Sequence, residues 1–285
     1  MDALQLLVKA AVVVFVVSSM VSIGLASRGA DIIAPLRRPL WVLRALIANF
    51  VLAPAVALAI TGVLPLESGY ELGLLLLAFA GGSPLLPKLA ETGGADVGSA
   101  TALMVLLMTG TVLVMPLALP LFLEGLQVNS GRIAAPLVVL MLAPLLLAMA
   151  VQRLAPQIGA RLLPAIAGTS NIGFIAVVIL ICGTNLPALA GVLGSGAIGA
   201  AILFVVLLFA GAWALAEPNP AERRLLGYAT AGRNIGAALV TAGASAAEPK
   251  AATMLIVTGV VGLVLLLATT TWLRRAASRA TSGEM

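Results

Sequence analysis

Arg233 and Asn234 stand in the middle of an apolar stretch, YATAGRNIGAALVTAGA from Tyr228 to Ala244, and any chemistry in this chain turns on them. Eight residues separate Arg233 from Arg224 on one side and fourteen separate it from Glu248 on the other, so its side chain cannot easily snorkel to water. A charge at the centre of a membrane helix costs roughly 2.5–3.5 kcal/mol on insertion scales, and such residues face protein or an aqueous cavity rather than lipid. A planar guanidinium there is suited to gripping a carboxylate through two parallel bonds. The same group could instead be structural, paired with backbone carbonyls. Gly232 and Gly236 bracket the charge. Each weakens a helix by about 1 kcal/mol, which predicts local unwinding where the charge sits.

A second interruption falls at Gly81, Gly82, Ser83 and Pro84, with Pro87 following. A regular helix is not expected to run through it. Inside a bilayer, non-helical backbone persists only where protein or water satisfies its freed N–H and C=O groups, so a broken helix implies a site. Asn49, deep in another apolar segment and followed by Pro54, is a buried amide that needs partners. The candidate substrate-binding residues are therefore Arg233, Asn234, Ser83, Asn49 and Gly82; no metal ligands and no cofactor are called. An intramembrane enzyme is not expected, because there is no histidine for a Ser–His pair or an H-E-x-x-H zinc site, nor a pair of membrane aspartates. A proton antiporter needs an intramembrane carboxylate, and all eleven acids lie at segment ends, in loops or in the tails. The single cysteine, Cys182, forms no internal disulfide and reads as a packing residue.

The elements that must position these residues follow from composition. With 61% hydrophobic and 9% charged residues over 285, the chain is an all-α polytopic membrane protein. Nine apolar segments, 3–26, 38–62, 70–90, 97–123, 132–152, 161–183, 190–216, 222–245 and 250–273, are each long enough to cross about 30 Å of hydrocarbon. Barrel strands would instead alternate in segments of about ten residues. The first segment is too long for a signal-peptide core and lacks a matching cleavage site, so it is kept as a span. Ser18, Ser19, Ser22, Gly24 and Ser27 suit it to close helix contact. Thr101, Thr109 and Thr111 in the fourth segment are each more naturally structural than ligand-binding when taken singly. Thr169, Ser170 and Asn171 in the sixth and Thr253 and Thr258 in the ninth are further polar residues within the spans, and which of these side chains face the cleft is left open. Gly191 to Ala201 reads as a tightly packed helix, and the tail beyond Arg274 as mobile.

The net charge of +5 does not point to nucleic acid, because the basic residues are scattered at helix ends without interleaved aromatics. They set topology. With the N-terminus outside, the inner face carries twelve of the sixteen, from Arg28, Arg37, Arg38 and Arg44 to Arg274, Arg275 and Arg279, while Lys9, Arg132 and Lys250 lie outside. That places the C-terminus in the cytoplasm of a cell with the protein in its inner membrane. The interrupted segment is third of four, then eighth in the group five to nine. Paired interruptions at matching positions mark an inverted repeat, here 4+5, and a transporter's binding site.

Four stretches in order resemble the bile acid:sodium symporter family, over nearly the whole chain. MVSIGLAS resembles its MFxMGLxL helix ending, and IANFVLAPAVA its xxQFxxMPxxA helix. AFAGGSPLLPKLAETGGADV resembles CCPGGTASNVMTYLARGNV with one extra residue near Gly94, and ATAGRNIGAAL resembles EVGMQNSGLAA. The resemblance implies a panel of segments one, five and six (3–26, 132–152, 161–183), a core of the rest, and two interrupted helices crossing at a substrate cleft. It also implies altered sodium sites. The family's glutamate falls on Ala229, its Ser-Asn pair on Leu85 and Leu86, the next helix's Ser and Thr on Ala100 and Met104, and the crossing helix's Gln on Arg233. Only the second helix's Gln keeps an amide, as Asn49. Asn234 matches the family's Asn, and Ser83 stands where the family has Thr. Half-helix C-termini present free carbonyls that sodium would neutralise, and a guanidinium fixed there would be a tethered cation.

The expectation is a secondary transporter of a small organic anion, working by alternating access in a lipid bilayer and not coupled to sodium. The alternatives are a sodium-coupled symporter with a rearranged ion site and a non-transporting sensor or binding protein. The sequence leaves substrate, direction and oligomeric state open.

Overall fold

A computed structural model describes residues 3–27, 29–122, 130–184, 191–244 and 249–282. The segment boundaries expected at 123, 190 and 245, and Arg28 on the inner face, lie outside the described residues, as does the side chain of Cys182. Every regular element among the described residues is helical. They are α1 (Ala3–Ala26), α2 (Gly29–Leu36), α3 (Pro39–Val63), α4 (Ser68–Phe79), α5 (Leu86–Gly93) and α6 (Val97–Phe122). Then come α7 (Ser130–Leu154), α8 (Pro156–Thr184), α9 (Ala197–Leu215), α10 (Pro220–Ala231), α11 (Ile235–Ala244) and α12 (Pro249–Ser282). Seven helices among the described residues are long and apolar enough to cross a membrane. The remaining apolar material is split into two pairs of short helices, α4 with α5 and α10 with α11.

Proline and glycine chemistry sets these breaks. Gly82 takes φ +76°, a conformation that costs other residues, and α5 restarts at Leu86 with Pro87 in its first turn, where a missing N–H costs nothing. Gly232 leaves the helical region at φ −76°, ψ 101°, ending α10 one residue before Arg233. Two further prolines act more gently. Pro54 and Pro144 each follow a five-residue π-turn, Ala48–Leu52 within α3 and Val138–Leu142 within α7, so the helix widens rather than ends.

α1 packs chiefly on α8 and on α7. The approach is close at Gly24, where a Cβ would come 2.5 Å from Ala148 Cβ. A second body of contacts joins α9 to α10 and α12, α4 to α12, and α2 to α6. The interrupted helices carry much of the core: Leu74, Leu76, Leu77, Ala80, Leu86, Tyr228, Ala229 and Ala237 are fully buried.

Several expectations need correction. The stretch between the first two expected segments contains a short helix of its own, α2. The sixth apolar helix starts at Pro156, with only Ala155 separating it from α7, because Pro is favoured at a first helical position. Gly191 to Ala201 is not one packed helix: Gly194 and Gly196 adopt positive φ, and the helix begins at Ala197. The ninth segment, expected over 250–273, is longer: α12 continues as a helix as far as Ser282, since the Ala and Arg there are strong helix formers.

Candidate functional site

The two breaks lie against each other and are tied by Asn234. Its backbone N–H donates to the Ala80 carbonyl at 2.8 Å, and its Nδ2 donates to the Gly82 carbonyl at 3.0 Å. Its Oδ1 accepts from Ala237 N at 3.0 Å, capping the start of α11. On the other side, the Ser83 hydroxyl accepts from Leu85 N at 3.3 Å just before α5. Thr111 in α6 donates to the Gly81 carbonyl at 3.1 Å, so a neighbouring helix also steadies the first break. No alternative to Gly82 fits, because a Cβ there would come 2.5 Å from Met108 N.

Arg233 occupies the junction and is only 6% exposed. Its Nε donates to the Leu77 carbonyl at 2.9 Å and its Nη2 to the Ala78 carbonyl at 2.8 Å, both in the last turn of α4. Its Nη1 donates to the Thr230 carbonyl at 3.1 Å, in the last turn of α10, and to Asn49 Oδ1 at 2.8 Å. Four of the five guanidinium N–H groups are thus committed, and no carboxylate among the described residues pairs with it. A two-bond grip on a carboxylate requires Arg233 to release at least one of these bonds. Asn49 is satisfied as well: its Nδ2 donates to the Ala45 carbonyl at 3.0 Å and to Thr230 Oγ1 at 3.2 Å. It sits in the π-turn of α3.

α10 is anchored to α3 at both ends. Asn219 caps it by accepting from Ala221 N at 2.9 Å, and Glu222 in its first turn accepts from Arg38 Nη1 at 2.7 Å and Trp41 Nε1 at 2.8 Å. Arg38 and Arg44 also reach Glu217. These partly exposed pairs contribute about 0–1 kcal/mol each, so they set register more than stability.

A cavity of about 190 Å³ opens beside the junction, between α1 and α8 on one side and the starts of α5 and α11 on the other. Ser83, Pro84, Leu85, Ile235, Gly236 and Arg233 line the junction side. Ser19, Ser22, Ser170, Asn171, Phe15 and Phe174 line the other, where the hydroxyls of Ser19 and Ser170 bond at 2.5 Å. A smaller space of about 30 Å³ lies behind the junction, where Thr258 and Gly259 of α12 meet Arg233, Ser83 and Gly232. Of the five sequence candidates, Arg233 and Ser83 line the cavity; Asn234, Asn49 and Gly82 support it from within. Asn171 faces the cavity, whereas Thr109 bonds its own helix at the Val105 carbonyl. Thr230, Ser170, Phe15 and Phe174 were not singled out as site residues. Thr230 lies three positions before Arg233 in the same motif, but α10 ends between them and the bond is to the Thr230 backbone carbonyl, so side-chain spacing gave no signal for it.

The model described as Sodium Bile acid symporter family matches residues 13–191, more than half of the chain. The chain belongs to the sodium bile acid symporter family. This is a family of transporters and not of enzymes, so the protein is a multi-pass membrane transporter of the bile acid symporter type. No relative among curated proteins matches it. The symporter-family match includes Asn49, Gly82 and Ser83 and ends before α10, so Arg233 and Asn234 are tied to the family by the ATAGRNIGAAL motif and by their bonds to the matched half. Of the positions where the symporter family resemblance places sodium ligands, Leu86, Ala100 and Ala229 are apolar and fully buried and Met104 nearly so. Leu85 lines both cavities.

Proposed function

We propose that this protein carries a small organic anion across the cell inner membrane by alternating access, without coupling to sodium. One observation carries the reading: the guanidinium of Arg233 is held by the carbonyl ends of both first half-helices, α4 and α10, while the starts of both second half-helices, α5 and α11, line the cavity. Helix C-termini carry roughly −0.5 charge and N-termini roughly +0.5. The two negative ends meet a fixed cation where a relative would use diffusible ions, and the two positive ends are left for an anion. At about 190 Å³ the cavity is smaller than the roughly 300–1,000 Å³ of drug-sized sites, which favours a small keto or hydroxy acid over a steroid.

In this reading α1, α7 and α8 form a panel that moves against a core of the remaining helices. The interrupted pairs, 68–93 and 220–244, are counted as one crossing each, for nine crossings in an inverted 4+5 repeat. The basic-residue bias puts the N-terminus outside and the C-terminus in the cytoplasm. Arg233 also lines the cavity and keeps one N–H uncommitted, so a single bond to the substrate's carboxylate is compatible with its tethering role. The test is flux in proteoliposomes with sodium replaced by potassium or choline. Unchanged rates are expected; a steep sodium dependence would overturn the reading.

A further inference from the structure

The reading above leaves open what drives the flux, and the inference that follows rests on it. We infer that Arg233 stays within the core through the whole cycle, so that each cycle transfers only the charge of the organic anion and the membrane potential sets the direction of transport.

The guanidinium is held by Leu77, Ala78, Thr230 and Asn49, all on α3, α4 and α10, and, among the described residues, by nothing on α1, α7 or α8. It therefore travels with the elements that hold it. A tethered charge returns to its starting place at the end of each cycle and adds nothing to the charge delivered. A diffusible co-ion would add to it, but neither usual co-ion has a place to ride. A proton needs a titratable carrier, and the chain has no histidine, while no acid among the described residues lines either cavity. A sodium ion beside the guanidinium would face a like charge and two positive helix ends, with hydroxyls and one amide but no carboxylate to hold it. The half-charges of the helix ends also fix the valence. The ends of α4 and α10 sum to about one negative charge, offset by Arg233; the starts of α5 and α11 sum to about one positive charge, offset by one monoanion. In a cell whose interior is negative, such a carrier runs outward and exports its substrate.

The experiment uses the full chain in sodium-free proteoliposomes and, as probes, radiolabelled three- to six-carbon hydroxy and keto monocarboxylates at equal concentration on both sides. A potassium gradient with valinomycin sets the interior negative. The expected result is net efflux approaching a distribution of about fifty-fold, the ratio that about 2.3 kcal/mol per charge at about 100 mV corresponds to. Reversing the potassium gradient should reverse the flux. Saturable exchange that ignores voltage, or accumulation driven by a sodium or pH gradient, overturns the inference while leaving an organic-anion carrier in place. No protein-dependent flux of any probe, with or without sodium, overturns the proposed function itself.

Discussion

Replacing Arg233 by Ala removes four hydrogen bonds at once, and the structure allows the cost to be apportioned. The Leu77 carbonyl keeps a second donor, the Ala80 N–H at 2.9 Å. The carbonyls of Ala78 and Thr230 and Oδ1 of Asn49 lose the donor the described residues provide. A buried acceptor left without a partner costs about 1–3 kcal/mol, so three cost about 3–9 kcal/mol. Cavities on both sides of the guanidinium admit water to the vacated space, which brings the expected loss to the low end, about 3 kcal/mol. At about 2–4 °C per kcal/mol this lowers the unfolding midpoint in detergent by about 6–12 °C and leaves the protein inserted. Transport suffers more, because about one unit of helix-end charge is then unbalanced beside the cavity; a fall of at least 100-fold is expected, about 2.7 kcal/mol at about 1.36 per decade. Arg233→Lys keeps the charge with three donors in place of the fork and should fall between. Initial rates at matched protein density, read beside the midpoints, test both halves. Wild-type flux in Arg233→Ala would remove the cation from the mechanism, and an unchanged midpoint would remove its structural share.

Gly82→Ala should be far more damaging than Gly94→Ala. Both glycines have positive φ, worth about 1–2 kcal/mol to a side chain, but a Cβ at Gly82 also comes 2.5 Å from Met108 N and 2.7 Å from Met108 Cγ, while Gly94 has nothing within 4 Å. Yield and midpoint of the two variants compared side by side check this, and equal values would refute the close-packing account. Asp96, outside the spans, is held below the usual carboxylate range by the backbone N–H of Ser99, which donates to Oδ2 at 2.6 Å. A depressed folded value gives stability that is present above the unfolded value of about 3.9 and lost as pH falls through the folded one. Asp96→Ala should therefore lower the midpoint by the equivalent of about 1 kcal/mol at pH 7 and by progressively less below about pH 4; a difference that does not shrink on acidification contradicts the cap.

Both interruptions were legible because glycine and proline announce them locally, and Arg233 was legible because a charge is out of place in so apolar a stretch. Its partners were harder to read. Leu77 and Ala78 take part only through their carbonyls, so no side chain identifies them, and Asn49 could be seen to need partners without those partners being named. The panel-side cavity wall was hidden for another reason: Ser19 and Ser170 are ordinary small residues in separate helices, and only packing brings their hydroxyls together. Hydropathy measures transfer cost and is silent on hydrogen-bond pattern, so it found α3 and α7 as spans but not their π-turns. The start at Ala197 was misplaced by the same limitation, since apolar content continues through it, whereas the start at Pro156 was misplaced because Gln157 and Arg161 read as loop.

The π-turn of α3 takes up one residue more than a regular helix would carry over the same rise, and Asn49 sits in that surplus. Losing one residue between Ala48 and Leu52 would restore a regular helix while leaving Trp41 and Ala45 on one side, and Ala53, Ala57 and Ile60 on the other, close to their buried positions. The damage would fall on the turn itself, where Asn49 bonds the guanidinium and Thr230. A single-codon deletion in the regular part of α3 has no such slack and would rotate one flank by about 100° and 1.5 Å against the other.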